Sequence, residues 1–485
     1  MNSCIFVSQF LEMDIWIKAA QLFLSLAILV TLHELGHFIP AKLFKTRIEK
    51  FYLFFNPWFS LFRYKRINGK KKYAWFTKES PEAWKEDEST TEWGLGWLPL
   101  GGYVKIAGMI DESMDKEQLE KPAEPWEFRS KPAWQRLIIM IGGVTVNLLL
   151  GFFIYTMVIF AWGRVQINPQ KMEHGVSVHP YITEKYGIES GDQILEVDGE
   201  TLTNLDELNK IIMLRELNTL KVKHSDGKDE TIDIPENIGL ELFQNNAFPA
   251  FGMRTSSSYV KEVQQGSNAE SAGLLSEDQI IKIDEKDINY FDDIQGSLYA
   301  KKDKNVRLTV LRPLNESAKD TIILNTNVNE LGTIGFSVGI AAVEDSNAVE
   351  TVSYSFLNSI TEGTQYGLNT LGDYVSQFKF IFTKKGAGSI GGFATIGNLF
   401  PPVWDWQAFW MQTALLSIIL AFMNILPIPA LDGGHVVFLI YEMITGKEAP
   451  QRVLEIAQYI GIFLLLGLMI YANGNDLIRW INGGF

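Results

Sequence analysis

The residues best suited to chemistry are His33-Glu34-Leu35-Gly36-His37. Two histidines at i and i+4 lie one turn apart on a single helix face and can give two nitrogens to one Zn²⁺. Glu34 follows the first ligand, placed to accept a proton from a water whose pKa the cation lowers toward ~7. Catalytic zinc wants three protein ligands and one open position, so a third ligand comes from elsewhere. With Cys4 the lone cysteine, thiolate clusters and intrachain disulfides are excluded, and the third ligand is a histidine or carboxylate. His174, His179 and His224 lie in the polar middle of the chain, whereas Asp432 and His435 follow Asn424-Ile425-Leu426-Pro427-Ile428-Pro429-Ala430-Leu431. Prolines and glycines interrupt helices, and an interrupted backbone at membrane depth needs a polar cavity into which Asp432 or His435 could point. Spacing alone leaves both open. A purely structural polar cluster competes, but ionisable groups in an apolar helix cost a few kcal/mol to insert unless protein, metal or water compensates.

The elements that must position these residues are four apolar runs. Ala19 to Leu32 is prolonged by His33 to Phe44; Leu137 to Phe160 has no charged residue; Phe409 to Leu426 and Ile456 to Ala472 complete the set. Each approaches or exceeds the ~20 residues that cross a hydrocarbon core. The first run resembles a signal peptide in length but offers no small-x-small cleavage site before His33, so it stays in the membrane. Glu12 and Asp14 precede it, and Lys42, Lys45, Arg47 and Lys50 follow, which puts the N-terminus outside. Residues 45–133 are then cytoplasmic, and residues 164–405 and the C-terminus are outside. The 43 basic and 57 acidic residues among 485 give a formal charge of −14, the wrong sign for a nucleic-acid binder.

Between the first two runs, Ser60 to Ile67 and Lys70 to Thr77 flank Asn68-Gly69, which predicts a hairpin with a type I′ turn. Phe51 to Phe62 is aromatic, and with Trp93 to Met109, including Leu100, it reads as β structure dipping into the bilayer. Open strand edges are not tolerated in lipid, so such an edge needs cover, by helices or by a bound peptide strand. The outer segment repeats itself: Gly187 to Leu208 aligns without gaps on Gly273 to Ile294, an offset of 86 residues. Gly191-Asp192-Gln193-Ile194 followed by Asp198-Gly199 resembles tandem PDZ domains, with peptide grooves expected beside Gly252-Met253 and Gly335-Phe336. In the second copy Glu277 and Glu285 replace the two turn glycines, so its turns are expected to differ. Phe356, Ile360, Leu368, Leu371, Val375 and Phe378 recur at helical spacing among charges, an interfacial amphipathic helix rather than a fifth span.

Together these motifs resemble the site-2 protease family, in its bacterial branch of regulator of sigma-E proteases: HELGH on the first helix, Asn147 in the second, tandem PDZ-like repeats, and Asn424 to Gly434 at the third. The resemblance implies a multi-pass α-helical membrane protein with four transmembrane helices, membrane-reentrant β hairpins and an extracytoplasmic tandem of PDZ-like α/β domains. Its segments are 1–44 (first span), 45–133 (cytoplasmic loop with β structure), 134–163 (second span), 166–255 and 256–345 (PDZ-like domains), 346–405 (amphipathic segment), 406–445 (third span) and 452–482 (fourth). It implies that His33, His37 and Asp432 bind Zn²⁺, that Glu34 is the general base, and that Asn424, Pro427 and Pro429 position the substrate. The stretch Gly94 to Gly108, including Gly101 and Gly102, looks like the family's reentrant β loop. Gly142-Gly143-Val144 departs from the usual Gly-Pro of the second helix, and Ser389 to Gly392 from the Gly-Pro-x-Gly before the third. The implied partners are single-pass membrane protein substrates of anti-sigma-factor type or signal-peptide remnants, an upstream site-1 type protease and the lipid bilayer of the bacterial inner membrane, with the active site toward the cytoplasm. The competing readings are a catalytically silent PDZ scaffold, which has no use for Glu34, and a transporter, which four helices without an evident repeat disfavour.

Overall fold

The computed structural model describes residues 2–84, 89–99, 101–109, 122–256, 259–315, 318–339, 342–343 and 346–481, with side chains from residue 14 on and none at 342–343. Leu100 and the side chain of Cys4 therefore lie outside the described residues. The chain forms two compact units, residues 1–162 with 354–485, and an inserted unit of residues 163–353.

In the first unit, helix α1 spans Asn2–Leu43 and ends in a turn containing Pro40. Strands β1 (Ile48–Leu53), β2 (Ser60–Ile67), β3 (Lys70–Thr77), β4 (Glu92–Leu95) and β5 (Tyr103–Ile106) follow. They make one sheet of order β3-β2-β4-β1-β5, with β1 and β4 parallel and the other pairs antiparallel. The expected hairpin forms on the expected residues, Asn68 and Gly69 both having positive φ (48° and 75°) as a type I′ turn requires. Buried Arg63 donates to Tyr52 Oη (2.8 Å) and Glu92 Oε1 (3.0 Å), and Ser80 donates to Glu92 Oε2 (2.7 Å), tying β1, β2 and β4 together. Burial pushes the Glu92 carboxyl up, but these hydrogen bonds outweigh it and hold it below the usual carboxylate range.

The longer helices that follow are α2 (Ala133–Trp162), α3 (Phe356–Ile381), α4 (Trp406–Ile425), α5 (Asp432–Thr445) and α6 (Gln451–Ile481), with the short helices Lys384–Ser389 and Phe393–Gly397 between α3 and α4. Among the described residues four helices are long and apolar enough to cross a membrane: Asp14–Leu43, Ala133–Trp162, Trp406–Ile425 and Gln451–Ile481. Helices in lipid gain little from burying more hydrocarbon, so close backbone approach decides their packing. At Gly36 and Gly142 that approach is extreme. A Cβ on Gly142 would meet the Gly36 carbonyl oxygen at 2.1 Å, and that oxygen is the one that Pro40, lacking an N–H, cannot engage. Helix α3 packs on α2 with its small residues, Gly363 against Thr156 and Gly367 against Phe152. Its apolar residues Phe356, Leu357, Ile360, Leu368 and Val375 are exposed.

The inserted unit begins and ends in one antiparallel pair, Arg164–Ile167 with Val349–Val352. Within it, strand Gln193–Val197, helix Leu205–Leu214 and strand Thr219–Lys223 return as Gln279–Ile283, Phe291–Tyr299 and Asn305–Asn315, each start 86 residues on. Each copy has its own aliphatic core, around Ile194, Leu208 and Leu220 in the first and Ile280, Ile294 and Leu308 in the second. Asp192 and Asp278 cap equivalent turns, accepting from Glu189 N–H and Leu275 N–H at 2.9 Å. The two replaced glycines behave differently. Glu277 adopts a left-handed φ of 70° where Gly191 has 105°, a conformation strained for a side chain, whereas Glu285 does not follow the positive φ of Gly199 (82°).

Candidate active site

His33 and His37 project from the same face of α1, and Asp432 enters from the first turn of α5. Their ligand atoms form a nearly equilateral triangle: His33 Nε2 to His37 Nε2 is 3.2 Å, and each lies 3.3 Å from Asp432 Oδ2. Three ligands with bonds of 2.0–2.1 Å in a tetrahedral shell stand about 3.3 Å apart, so the triangle has the dimensions of a zinc face. Asp432 Oδ2 is buried without a hydrogen-bond partner, as befits an atom waiting for a cation. The residues present fit the metal. Of the two alternatives for the third ligand, Asp432 completes the triangle, while His435 lines the cavity beside it.

Partners behind the ligands orient both rings. His37 Nδ1 donates to the Ile139 carbonyl at 2.8 Å, which leaves Nε2 with a free lone pair toward the triangle. The Asn147 amide lies 3.1 Å from His33 Nδ1, and its Oδ1 is buried without a partner. Turning that amide so that its oxygen accepts from Nδ1–H satisfies both atoms and frees His33 Nε2 in the same way. Asn147 is itself held, because its carbonyl accepts from Ser417 Oγ of α4 at 2.7 Å. A Cβ on Gly143 would stand 2.5 Å from His37 Nε2 and 2.6 Å from His33 Cε1, so the glycine makes room for both rings. The Gly142-Gly143 pair thus serves the site where the family pattern has Gly-Pro.

Glu34 faces the sheet. Its Oε2 accepts from the backbone N–H of Val104, on edge strand β5, at 2.9 Å. A cavity of about 380 Å³ opens between α1 and β5, lined by the three ligands, Glu34, Phe55 and the run Gly102 to Ile106. Its far wall is the turn from α4 to α5, where Ala430 takes a left-handed φ of 79°. Helix α6 braces that turn. Gln458 Oε1 accepts from Ala430 N–H at 3.2 Å, and a Cβ on Gly461 would meet the Pro429 oxygen at 1.6 Å.

The structure therefore brings His33, Glu34, His37, Asp432 and Gly102 to one cavity. Gly101, Asn424 and Pro427 are not among its lining residues, and Pro429 lines a neighbouring cavity with Arg136 and Glu442. Sequence reasoning missed Gly36, Gly143, Val104, Gln458 and Gly461; only the Gly142-Gly143 pair, an oddity in the clearest span, carried a signal.

The description Peptidase family M50 matches residues 21–75 and 72–468. A regulator of sigma E protease from Haemophilus influenzae is 27% identical over 478 residues, covering 94% of this chain and 97% of the relative. The regulator of sigma-E protease RseP of Escherichia coli is 25% identical over 483 residues (95% and 98%). A putative zinc metalloprotease of Campylobacter jejuni is 25% identical over 458 residues (94% and 92%). With that match spanning both ends of the ligand triangle, the chain belongs to peptidase family M50.

Proposed function

We propose that this zinc metallopeptidase hydrolyses a peptide bond within or beside the transmembrane segment of single-pass membrane proteins, with His33, His37 and Asp432 holding the zinc. The observation that carries this reading is the ligand triangle, built partly on a helix apolar enough to cross a bilayer and opening onto the edge of β5. Bound zinc supplies Lewis acidity, polarising a carbonyl and acidifying water. Glu34 takes the proton of the attacking water and delivers it to the leaving nitrogen. The Ile139 carbonyl and the Asn147 amide keep the two imidazoles aimed while this happens.

A helix holds its carbonyls in its own hydrogen bonds, so a substrate must arrive extended. Edge strand β5, with Gly102 just before it, offers main-chain groups at Gly102 and Val104 to an added strand, and Asn424 at the end of α4 with Pro427 and Pro429 in the turn that follows leads into Asp432. The Val104 N–H that meets Glu34 is one of those groups. Charge after α1 favours a site toward the cytoplasmic face of the bacterial inner membrane. The names of the Haemophilus and Escherichia relatives support substrates of anti-sigma-factor type, with signal-peptide remnants a second class. The outer repeats, read as PDZ-like, act as a size filter that admits only proteins already trimmed by a first protease. The intact pairing of Glu34 with both histidines argues against a silent scaffold.

The test is co-reconstitution of the full chain with a single-pass substrate in vesicles. Wild type is expected to release two fragments, and Glu34→Gln none while keeping its zinc. Equal cleavage by Glu34→Gln removes Glu34 from the proposed role, and failure of zinc-loaded wild type on every trimmed single-pass protein overturns the reading. Deleting residues 166–345 is expected to admit untrimmed substrates; unchanged selectivity rejects the filter.

A further inference from the structure

The β2–β3 hairpin takes no part in the zinc site, yet its side chains are sorted in an unusual way. In a half-buried hairpin polar and apolar residues alternate across the two faces. On β2 Phe62 and Tyr64 do alternate with the buried Arg63 and Lys65, but the outward-lying side chains of the hairpin are sorted along the strands. Near the base Phe62 pairs with Trp75, in the middle Tyr64 pairs with Tyr73, and at the tip Arg66 pairs with Lys71 and Ile67 with Lys70. Trp75 and Phe76 are 64% and 70% exposed, and Trp58, just ahead of β2 and stacked on Trp97, is 77% exposed. Arg66 and Lys70 to Lys72 are exposed at the other end, and the three lysines make no ion pair among the described residues. The other two cations of the hairpin are internal: Arg63 is paired with Glu92, and Lys65 donates to the Trp84 carbonyl at 2.9 Å.

We infer that this hairpin is a lipid-interface anchor that selects anionic phospholipid: Trp58, Trp75 and Phe76 enter the acyl boundary, the tyrosines sit at the headgroup level and Lys70, Lys71, Lys72 and Arg66 meet the phosphates. Three observations converge on that occupant. An aromatic-to-cationic gradient along about 25 Å of strand matches the polarity gradient of half a bilayer, not the flat chemistry of a protein partner. A free basic tip on a chain of net charge −14 is complementary to an acidic surface. Among the described residues the outer edge of β3 pairs with no strand, which excludes the hydrocarbon core but suits the headgroup layer, where water and phosphate can satisfy it. The anchor is independent of the protease reading and asks only that the four helices sit in a bilayer. Its consequence is positional: the sheet that carries β5 is held at a depth set by lipid charge.

The experiment uses the full chain with Cys4→Ser and a fluorophore on Lys71→Cys, in nanodiscs of phosphatidylcholine doped with a few per cent of headgroup-spin-labelled phosphatidylglycerol or phosphatidylcholine. Each basic residue near an anionic surface is worth about fivefold in local enrichment at low salt, so the anionic quencher is expected to act several times more strongly than the zwitterionic one. That ratio should fall toward unity in K70Q/K72Q and in high salt, and quenching by both lipids should weaken in W75S/F76S, with zinc content unchanged in each variant. Equal quenching by the two lipids in the parent chain overturns the selectivity. Absence of quenching by either shows the hairpin to lie off the bilayer and overturns the anchor.

Discussion

The two units hold polar groups in opposite ways. In the membrane unit the polar groups that aim the site are held by single partners, His37 by the Ile139 carbonyl, His33 by Asn147 and Glu34 by Val104, and helices touch backbone to backbone at Gly36, Gly142 and Gly143. In the inserted unit aliphatic cores carry the fold, the buried Asp192, Asp278 and Asp292 brace turns and helix ends, and surface charges pair with one another, as Lys221 does with Glu196 and Lys282 with Asp287. Exposed pairs of that kind are worth roughly 0–1 kcal/mol each. The difference teaches where damage registers. A change in the membrane unit should be read in metal content and turnover, and a change of similar size in the inserted unit in stability alone.

The largest effect is expected from Asp432→Ala, which removes one corner of the triangle. Zinc per chain should fall from one toward zero, with turnover down at least about a thousandfold, because catalytic zinc needs three protein ligands. Metal analysis of the purified full chain checks it, and full occupancy would move the third ligand to His435. Gly143→Ala comes next. A methyl group 2.5 Å from His37 Nε2 must displace a ring, and a loss of about a hundredfold in zinc affinity is expected with helicity intact. Gly372→Ala on α3, where a Cβ meets nothing within 4 Å, is the control. Asn147→Leu, which removes the partner of His33 Nδ1, should weaken zinc affinity by about 10–100-fold. Chelator competition ranks the three. An unaltered affinity in either the Gly143 or the Asn147 variant would break the contrast between the units.

Much of this division was legible in the sequence, because the signals were local. His33 and His37 declare themselves by a spacing of four, the hairpin by Asn68-Gly69, the four spans by unbroken apolar runs, and the repeats by a constant offset. What stayed hidden is non-local. Backbone contact between Gly36 and Gly142 leaves no periodicity, the sheet order β3-β2-β4-β1-β5 depends on pairings far apart in the chain, and nothing in the composition tells Asn147 to face His33. Helix α3 shows the same limit: its spacing reads as amphipathic, but that spacing does not tell that Gly363 and Gly367 meet α2 and Leu371 and Phe378 pack inward while Phe356, Leu357, Ile360, Leu368 and Val375 are exposed.

On the other side of the comparison, Leu220→Ala and Leu308→Ala should each destabilise the inserted unit by about 2–5 kcal/mol, since both side chains are fully buried. Denaturant titration of the full chain should show that unit unfolding earlier while zinc content holds. Loss of zinc in step with the unit would mean that the two units fail together, and the separation of effects would be lost.

The smallest effect is a pH dependence confined to the inserted unit. Burial, and then the nearby Lys302 charge, push His179 down to about 4. Neutral His179 caps the helix Pro180–Tyr186, its Nδ1 accepting from Tyr181 N–H at 3.2 Å, a role that a protonated ring cannot fill. An ordinary histidine titrates near 6.5, so between about pH 6.5 and 4 the unfolded chain holds a proton that the folded one refuses. Stability conferred by the cap is therefore whole above pH 6.5 and drains as pH falls toward 4. Hydrogen exchange of residues 180–186 should quicken across that window in the wild type and stay level in His179→Asn, which keeps a cap without a titrating ring. Exchange that quickens equally in both would place the acid sensitivity elsewhere. Any change of zinc occupancy over the same window, in the wild type but not in the variant, would show that this unit reaches the metal after all.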